Sequence, residues 1–336
     1  MVNDFRDDPS TYDELYQMIM TLDETIWEGK VRDSLTPWLA NFSRSDVGDI
    51  EAQKLNALHM LSQFMYFGTN EVRCSLKYMY EHLFKYPTIR EIRKQNGGTL
   101  KGDFLNNEFD KKLKSTRFLG LGNPSESSYH LLYYFRQENY LHKDLFIHPH
   151  QLYSHEVKPK SNILRKTLAD ENIDTFIFLD DLSASGSQAK RYSGSVLSEL
   201  KNIYNAENKQ CVCIYLLLFG TTEALNTIRE KTLFDDVKCV FELDESFKAF
   251  SNDSRIFRKA HAQVDHKLCE EISYEYGRHL IGKDEKPHGF GDGQYLFAMS
   301  HNTPNNTLPI FWSKKNRWTP IFPRFDKKYS WETNHD

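Results

Sequence analysis

Between residues 113 and 245, short apolar segments alternate with segments of helical pattern, and this alternation constrains the fold more than any other feature. The apolar segments lack the apolar–polar alternation of a half-exposed strand, which is typical of strands buried on both faces. Such strands, separated by helices, predict an α/β fold with a mainly parallel, doubly wound sheet. The predicted strands are RFLGLG, KDLFIHPHQL, FIFLDD, QCVCIYLLLFG and KCVFEL.

The two flanking regions have other patterns. Residues 1–112 contain segments such as EAQKLNALHMLSQFMYF, with apolar residues at three- and four-residue steps and no cluster of catalytic side chains. We therefore predict a helical region that serves partner binding or self-association. Residues 246–336 are mixed, with a helix predicted near 264–281, and we expect them to complete the site or to seal the sheet. The predicted core domain is 113–245.

Composition narrows the class of protein. At 336 residues, the chain is long enough for two domains, or for one large domain with a subdomain. A net charge of −4 gives no overall basic field for nucleic acid, although a local basic patch stays open. No apolar run approaches the roughly 20 residues that span a bilayer, and the start lacks a signal segment. The five cysteines include no CxxC pair, which predicts reduced thiols in a cytoplasmic protein without a membrane partner.

Asp180 and Asp181 end the apolar run Phe176 to Leu179, and a small polar loop follows before the next helix. A haloacid-dehalogenase phosphatase would need its second aspartate at the position of Leu182. The chain has no GxxxxGK[ST] phosphate loop, and this turn has no GxSxG nucleophile elbow. An ordinary strand end with two solvated acids stays open as an alternative.

An acidic pair followed by a small hydroxyl residue and a glycine resembles the loop that binds phosphoribosyl diphosphate (PRPP) in type I phosphoribosyltransferases. The resemblance implies that Asp180 and Asp181 hold the ribose 2′- and 3′-hydroxyls, and that Mg²⁺ lies near them, carried by the diphosphate. It also implies a cradle for the 5′-phosphate at the following helix start. The cradle residues are Ala184, Ser185, Gly186, Ser187 and Gln188. Gln188 departs from the family, many members of which have Thr there.

Two other segments stand at the positions where the resemblance implies functional loops. One would bind the diphosphate, and the other would be a mobile loop that closes over it. The diphosphate candidates are Gly122, Asn123 and Ser125. The mobile-loop cations are Lys158, Lys160 and Arg165. A capped loop without a ligand, and ordinary solvated cations, are the alternatives for these two segments.

The segment SHNTPNNTLPIFWSKKNRWTPIFPRF, dense in Asn, Pro and Trp, is the second unusual stretch. With the acidic-pair loop and the helical N-terminal region, it resembles a divergent phosphoribosyltransferase-like group of bacterial conflict and anti-phage loci. Some members of that group accompany retron reverse transcriptases as effectors. Side chains here could form a wall that stacks on a base and reads its edges, or a packed tail. The residues concerned are Asn302, Asn305, Trp312 and Trp318.

The resemblance implies an enzyme that acts on a phosphoribosyl or nucleotide substrate by displacing diphosphate from ribose C1, or by cleaving a glycosidic bond. It further implies a toxin of anti-phage defence, a subunit of an oligomer or complex, silenced by partners such as a reverse transcriptase with its DNA or RNA. Two alternatives stay open. One is an inactive nucleotide-sensing or partner-binding module of the same fold. The other is a nucleic-acid-binding scaffold, for which KKLKSTRF and FWSKKNRW are the basic segments.

Overall fold

The structure is a computed structural model that describes residues 10–122, 127–157, 164–281 and 286–325, without the side chains of 155–157 and 164–165. The chain divides into two compact units. The first unit combines the residues up to Val72 with those from Asp244 onward, and the second comprises Arg73–Leu243. The predicted boundary at 112 differs from the observed boundary after Val72. The predicted boundary at 245 lies close to the observed one after Leu243.

Twelve α-helices lie in the described residues. They are Thr11–Thr25 (α1), Leu35–Leu39 (α2), Ile50–Ser62 (α3), Thr69–Tyr78 (α4), Tyr86–Gln95 (α5), Gly102–Lys114 (α6), Ser127–Glu138 (α7), Ser187–Tyr192 (α8), Ser198–Ala206 (α9), Thr222–Lys231 (α10), His266–Leu280 (α11) and Pro309–Trp312 (α12). Two π-helical segments, Met79–Lys85 and Ser193–Leu197, join α4 to α5 and α8 to α9. The helix predicted near 264–281 is confirmed as α11.

The described strands form one four-stranded sheet and two strand pairs. They are Met65–Phe67 (β1), Thr116–Gly120 (β2), Tyr153–Val157 (β3), Leu164–Leu168 (β4), Thr175–Ser183 (β5), Val212–Thr221 (β6), Asp236–Leu243 (β7) and Phe297–Met299 (β8). The four-stranded sheet has the order β2-β5-β6-β7, and each neighbouring pair is parallel. Helices cover both faces, since Phe135 of α7 packs on Phe118 of β2 and Tyr204 of α9 packs on Phe176 of β5. The predicted parallel α/β fold is confirmed.

Two predicted strands need correction. The segment KDLFIHPHQL contains the 3-10 turns Lys143–Leu145 and Pro149–Leu152, and its backbone pairs with β2 through an isolated bridge between Phe146 and Phe118 rather than through a strand ladder. Pro149 begins the second turn, where its missing N–H is tolerated but a strand ladder would lose a bond. The strand predicted to end at the acidic pair continues to Ser183, because its backbone stays paired with β6.

The proposed mobile loop is flanked by paired strands. β3 and β4 are antiparallel, with Tyr153 opposite Leu168 and Val157 opposite Leu164. The segment between them, which contains Lys158 and Lys160, lies outside the described residues.

The first unit has a core built from both ends of the chain. Buried side chains of α1 and α3 share one apolar cluster with those of α11 and the C-terminal segment. The indole N–H groups of Trp38 and Trp318 both donate to the carbonyl oxygen of Ile310, at 2.8 and 2.9 Å. This non-local packing explains why the N-terminal helices up to residue 72 belong with the C-terminal residues, which helix periodicity could not indicate.

No helix in the described parts of the chain is long and apolar enough to cross a membrane. The five cysteines, all of which the structure describes, are free thiols.

Candidate functional site

The acidic pair lies near the C-terminal edge of the parallel sheet, on its second strand. Asp180 is paired in register with Leu217 of β6, and the ladder continues beyond the acids to Ser183 and Gly220. Successive residues of a strand face opposite sides of a sheet. The two acids are therefore directed to different faces, and Asp180 shares its face with Phe178 and with Tyr215 of β6.

Asp180 is buried, with 5% of its surface exposed. Its Oδ2 accepts a hydrogen bond from the hydroxyl of Tyr215 at 2.8 Å, and its Oδ1 accepts one from the backbone N–H of Asp181 at 3.0 Å. Asp181 is partly exposed, and its Oδ1 accepts the backbone N–H of Leu182 at 2.8 Å. The structure thus brings the two predicted acids together but gives them different environments.

Burial, together with the neighbouring Asp181 carboxylate, raises the pKa of Asp180 well above its usual value, and the hydrogen bond from Tyr215 only partly opposes this shift. Burial and the Asp180 charge likewise raise the pKa of the Tyr215 hydroxyl. The hydroxyl therefore keeps its proton and donates to Asp180. A buried carboxyl with a raised pKa at the edge of a parallel sheet is a common mark of a functional site.

The loop after β5 turns into α8 through a left-handed glycine. Gly186 has φ +70°, and a Cβ there would lie 3.0 Å from Cγ1 of Ile228 and 3.2 Å from Cγ2 of Thr227. The side-chain oxygens of Ser185 and Ser187 are 3.0 Å apart at the exposed turn. The predicted cradle therefore exists as a turn at a helix start, and its glycine faces α10.

The edge of β2 lies beside that of β5. Gly120 is paired with Leu179, and the N–H of Leu121 donates to the carbonyl oxygen of Leu179 at 3.2 Å. Gly122 follows with φ 107°, so its conformation favours glycine. The other two candidates of this loop, Asn123 and Ser125, lie outside the described residues, as do Lys158 and Lys160 of the hairpin. Arg165 belongs to β4, but its side chain is not described.

The four residues proposed as a base-recognition wall belong to the first unit, and Trp318 is part of its apolar core. Trp318 packs on Phe42 and Tyr276, with ring centroids 5.3 Å apart in both cases. The indole N–H of Trp312 donates to the carbonyl oxygen of Thr307 at 2.8 Å. Both indoles are buried, which agrees with the alternative of a packed tail. Asn302 and Asn305 are partly exposed. The side-chain oxygen of Asn302 accepts the N–H of Thr303, and the carbonyl oxygen of Asn305 accepts that of Phe290.

The profile of the PRTase-CE family matches residues 35–324, which is most of the chain and includes the acidic pair. The chain belongs to the PRTase-CE family. It is therefore a phosphoribosyltransferase-like protein.

Solved structures with partial similarity to this PRTase-CE protein include three with low TM-scores. A hypothetical protein from Neisseria gonorrhoeae with bound ppGpp is 7% identical, with 54% of this chain and 85% of that chain covered at a TM-score of 0.27. Orotate phosphoribosyltransferase from Aeropyrum pernix is 12% identical, with 40% and 63% covered at 0.21. Helicobacter pylori xanthine-guanine-hypoxanthine phosphoribosyltransferase is 12% identical, with 41% and 88% covered at 0.22. No curated protein matches the chain.

Two residues at the candidate site are not among the residues that the sequence predicted. Tyr215 lies within a strand that was interpreted only as apolar, and Thr221 at its end holds the cradle loop by donating to the carbonyl oxygen of Ala184 at 2.9 Å. A tyrosine in a buried, largely apolar strand was the available signal for the first, because a buried hydroxyl needs a partner. Finding its partner required the strand register.

Proposed function

We propose that this PRTase-CE protein is an enzyme of phosphoribosyltransferase type that binds PRPP or a nucleotide at the C-terminal edge of its parallel sheet. One observation supports the proposal above all. The acidic pair and the left-handed turn at Gly186 lie on a single path from β5 into α8. A carboxylate there can accept hydrogen bonds from ribose hydroxyls, and the amides of a helix start can donate to a phosphate.

The chemistry that fits this arrangement is displacement at ribose C1. The bond from C1 to diphosphate, or to a base in the reverse direction, breaks with its electron pair leaving on the departing group. The entering group then forms its bond to an oxocarbenium-like C1. The protein contributes mainly by positioning the reactants and by placing charge, so Asp181 and the turn Ser185–Ser187 would fix the ribose and its phosphate.

The residues fit a Mg²⁺ that arrives on the ligand and keeps most of its waters. Mg²⁺ prefers oxygen ligands and is commonly bound through one or two carboxylates plus substrate phosphates. Among the described residues no group of three His, Cys, Asp or Glu side chains could hold a metal. Asp181, with its partly exposed carboxylate, is the residue that would meet the ion or one of its waters. When bound, the ion would neutralise charge on the leaving diphosphate.

The biological setting that we propose is a cytoplasmic toxin of bacterial anti-phage defence, silenced within a complex by partners such as a reverse transcriptase and its nucleic acid. Only the sequence resemblance supports this setting. Expression of the chain alone should slow bacterial growth, and Asp181→Asn should relieve the effect. Equal growth inhibition by both forms would contradict an enzymatic toxin.

An inactive sensor of the same fold is the second candidate, and the burial of Asp180 favours it, because a sealed acid cannot clamp a ribose. A nucleic-acid scaffold has less support from the segment KKLKSTRF. Lys112 pairs with Asp174 at 2.9 Å, and Arg117 lies 3.5 Å from Asp170 with 16% of its side chain exposed. These cations are already partly neutralised. A scaffold would show affinity that falls steeply with salt.

Calorimetric titration with PRPP, NAD and nucleotides in Mg²⁺ tests the proposal, together with an assay of diphosphate or free base released. We expect binding of at least one of these probes and turnover by the parent protein. Asp181→Asn should weaken binding, and Glu230→Gln on the exposed side of α10 should not. Binding without turnover would favour the sensor. No binding of any probe would contradict both.

A further inference from the structure

We infer that the two acids have different roles: Asp181 contacts the ligand, whereas Asp180 is a positioning residue that Tyr215 holds beneath it. This inference rests on the proposed function. It differs from the arrangement implied by the sequence resemblance, in which both acids hold ribose hydroxyls.

The two carboxyl groups differ in how deeply they are buried. Asp180 has 5% of its surface exposed, and each of its oxygens already accepts one hydrogen bond, from Tyr215 and from the N–H of Asp181. A ligand hydroxyl that approached Asp180 would have to displace packed side chains of the sheet face. Asp181 is partly exposed, and its Oδ1 accepts the backbone N–H of Leu182.

Tyr215 is itself held in place. Its residue is 1% exposed, and its ring stacks on that of Phe234 with centroids 4.9 Å apart and planes 13° apart. The strand register places Tyr215 opposite Phe178, two residues before Asp180 on the same face. A ring fixed in this way directs its hydroxyl toward the Asp180 carboxyl. Asp180 in turn accepts a hydrogen bond from the backbone N–H of Asp181. The series of hydrogen bonds from Tyr215 therefore ends at Asp181, the residue proposed to hold the ligand.

The titratable groups that face Asp180 are its neighbour Asp181 and Tyr215 of β6. An Asn side chain at 180 has the shape of Asp and can take part in both of the hydrogen bonds that Asp180 makes. Its carbonyl oxygen can accept the N–H of Asp181, and its amide can donate to the Tyr215 oxygen.

The decisive experiment compares Asp180→Asn with Asp181→Asn by calorimetric titration with PRPP and Mg²⁺. We expect Asp181→Asn to weaken binding about 10- to 100-fold, because a charged acceptor is lost. We expect Asp180→Asn to weaken binding by no more than about threefold, because both of its hydrogen bonds can be remade. Glu230→Gln serves as the matched control and should bind like the parent.

Coupling between Tyr215 and Asp180 gives a signature that a packing role alone would not produce. In an Asp180→Ala background, in which Tyr215 has lost its acceptor, Tyr215→Phe should change PRPP affinity less than it does in the parent.

The outcomes separate the inference from the proposed function. Equal losses of PRPP affinity in Asp180→Asn and Asp181→Asn would overturn the division of roles and leave the proposed function intact. No PRPP binding by the parent, or unchanged binding in both variants, would contradict the proposed site and the inference with it. If Tyr215→Phe fails to fold, the comparison of Asp180→Asn with Asp181→Asn still tests the division of roles between the two acids.

Discussion

The side-chain hydroxyl of Thr221 donates a hydrogen bond to the carbonyl oxygen of Ala184 at 2.9 Å and so connects the end of β6 to the loop after β5. The same Thr221 oxygen accepts the backbone N–H of Ala224 at 3.0 Å, as the N-cap of α10. One side chain therefore anchors the proposed phosphate loop and begins the helix that packs against Gly186.

Thr221→Val should destabilise the protein and weaken PRPP binding, because the substitution removes the hydroxyl that makes both bonds. Loss of an N-cap alone typically costs about 1 kcal/mol, and the unpaired Ala184 oxygen adds to it. Thr221→Ser keeps the hydroxyl and should stay close to the parent. Denaturant unfolding and calorimetric titration measure the two effects. Equal behaviour of the Val and Ser variants would exclude the anchoring role.

Gly186→Ala should lower the free energy of unfolding by more than about 1 kcal/mol, because an L-residue is strained at positive φ. The added Cβ would also press on Ile228. Gly194→Ala is the matched control. Gly194 lies in the helical segment after α8 with nothing within 4 Å of its Cβ position, so alanine there should be neutral or stabilising. Gly186 variants consequently report on folding as well as on phosphate binding, and stability must be measured beside affinity.

Asp180→Asn should stabilise the protein at neutral pH. Below the ordinary aspartate pKa of about 3.9, Asp180 is protonated in both the folded and the unfolded chain. As the pH rises, the unfolded chain releases this proton first, because the pKa of Asp180 is raised in the folded chain. The free energy of unfolding therefore falls between the unfolded and the folded pKa and stays at the lower value above the folded pKa. The gain in melting temperature should therefore be larger at about pH 8 than at about pH 4.

Asp174→Asn is the control of opposite sign. Partial burial raises the pKa of Asp174, but hydrogen bonds from Lys112 and Thr175 outweigh it and lower the pKa below the ordinary value. Its replacement should reduce the melting temperature at neutral pH. A uniform effect of both substitutions across the pH range would contradict these assignments.

The fragment 73–243 should fold cooperatively by itself, since it contains a complete sheet and its own apolar core. The fragment 1–72 should not, because its buried side chains share a core with residues 249–322. Circular dichroism and thermal unfolding of the two fragments test this expectation. A folded, monomeric fragment 1–72 would contradict the shared core.

Trp318→Leu should destabilise the first unit by about 2–4 kcal/mol, because it removes a buried ring and the indole N–H that bonds to Ile310. Base preference in a turnover assay should not change. A shift in base preference with unchanged stability would restore the base-wall hypothesis for this residue.

The sequence by itself determined the parallel α/β fold. Buried parallel strands have continuous apolar runs, and this property is local, so β2, β5, β6 and β7 were all located from their own residues. The acidic pair and the Gly186 turn were found for the same reason, since a short motif carries its own chemistry. The segment around Phe146 shows the limit of this approach, because apolar residues there pack beside the sheet without joining it.

Only the tertiary structure decided which parts of the chain share a core and what surrounds each acid. Trp38 and Trp318 meet at one carbonyl oxygen although 280 positions separate them in sequence, and no periodicity encodes such a contact. Asp180 and Asp181 look equivalent in sequence, yet strand alternation directs them to opposite faces of the sheet, and Tyr215 from the neighbouring strand meets Asp180. Side-chain environment depends on register between strands, and register is set by the packing of the whole sheet.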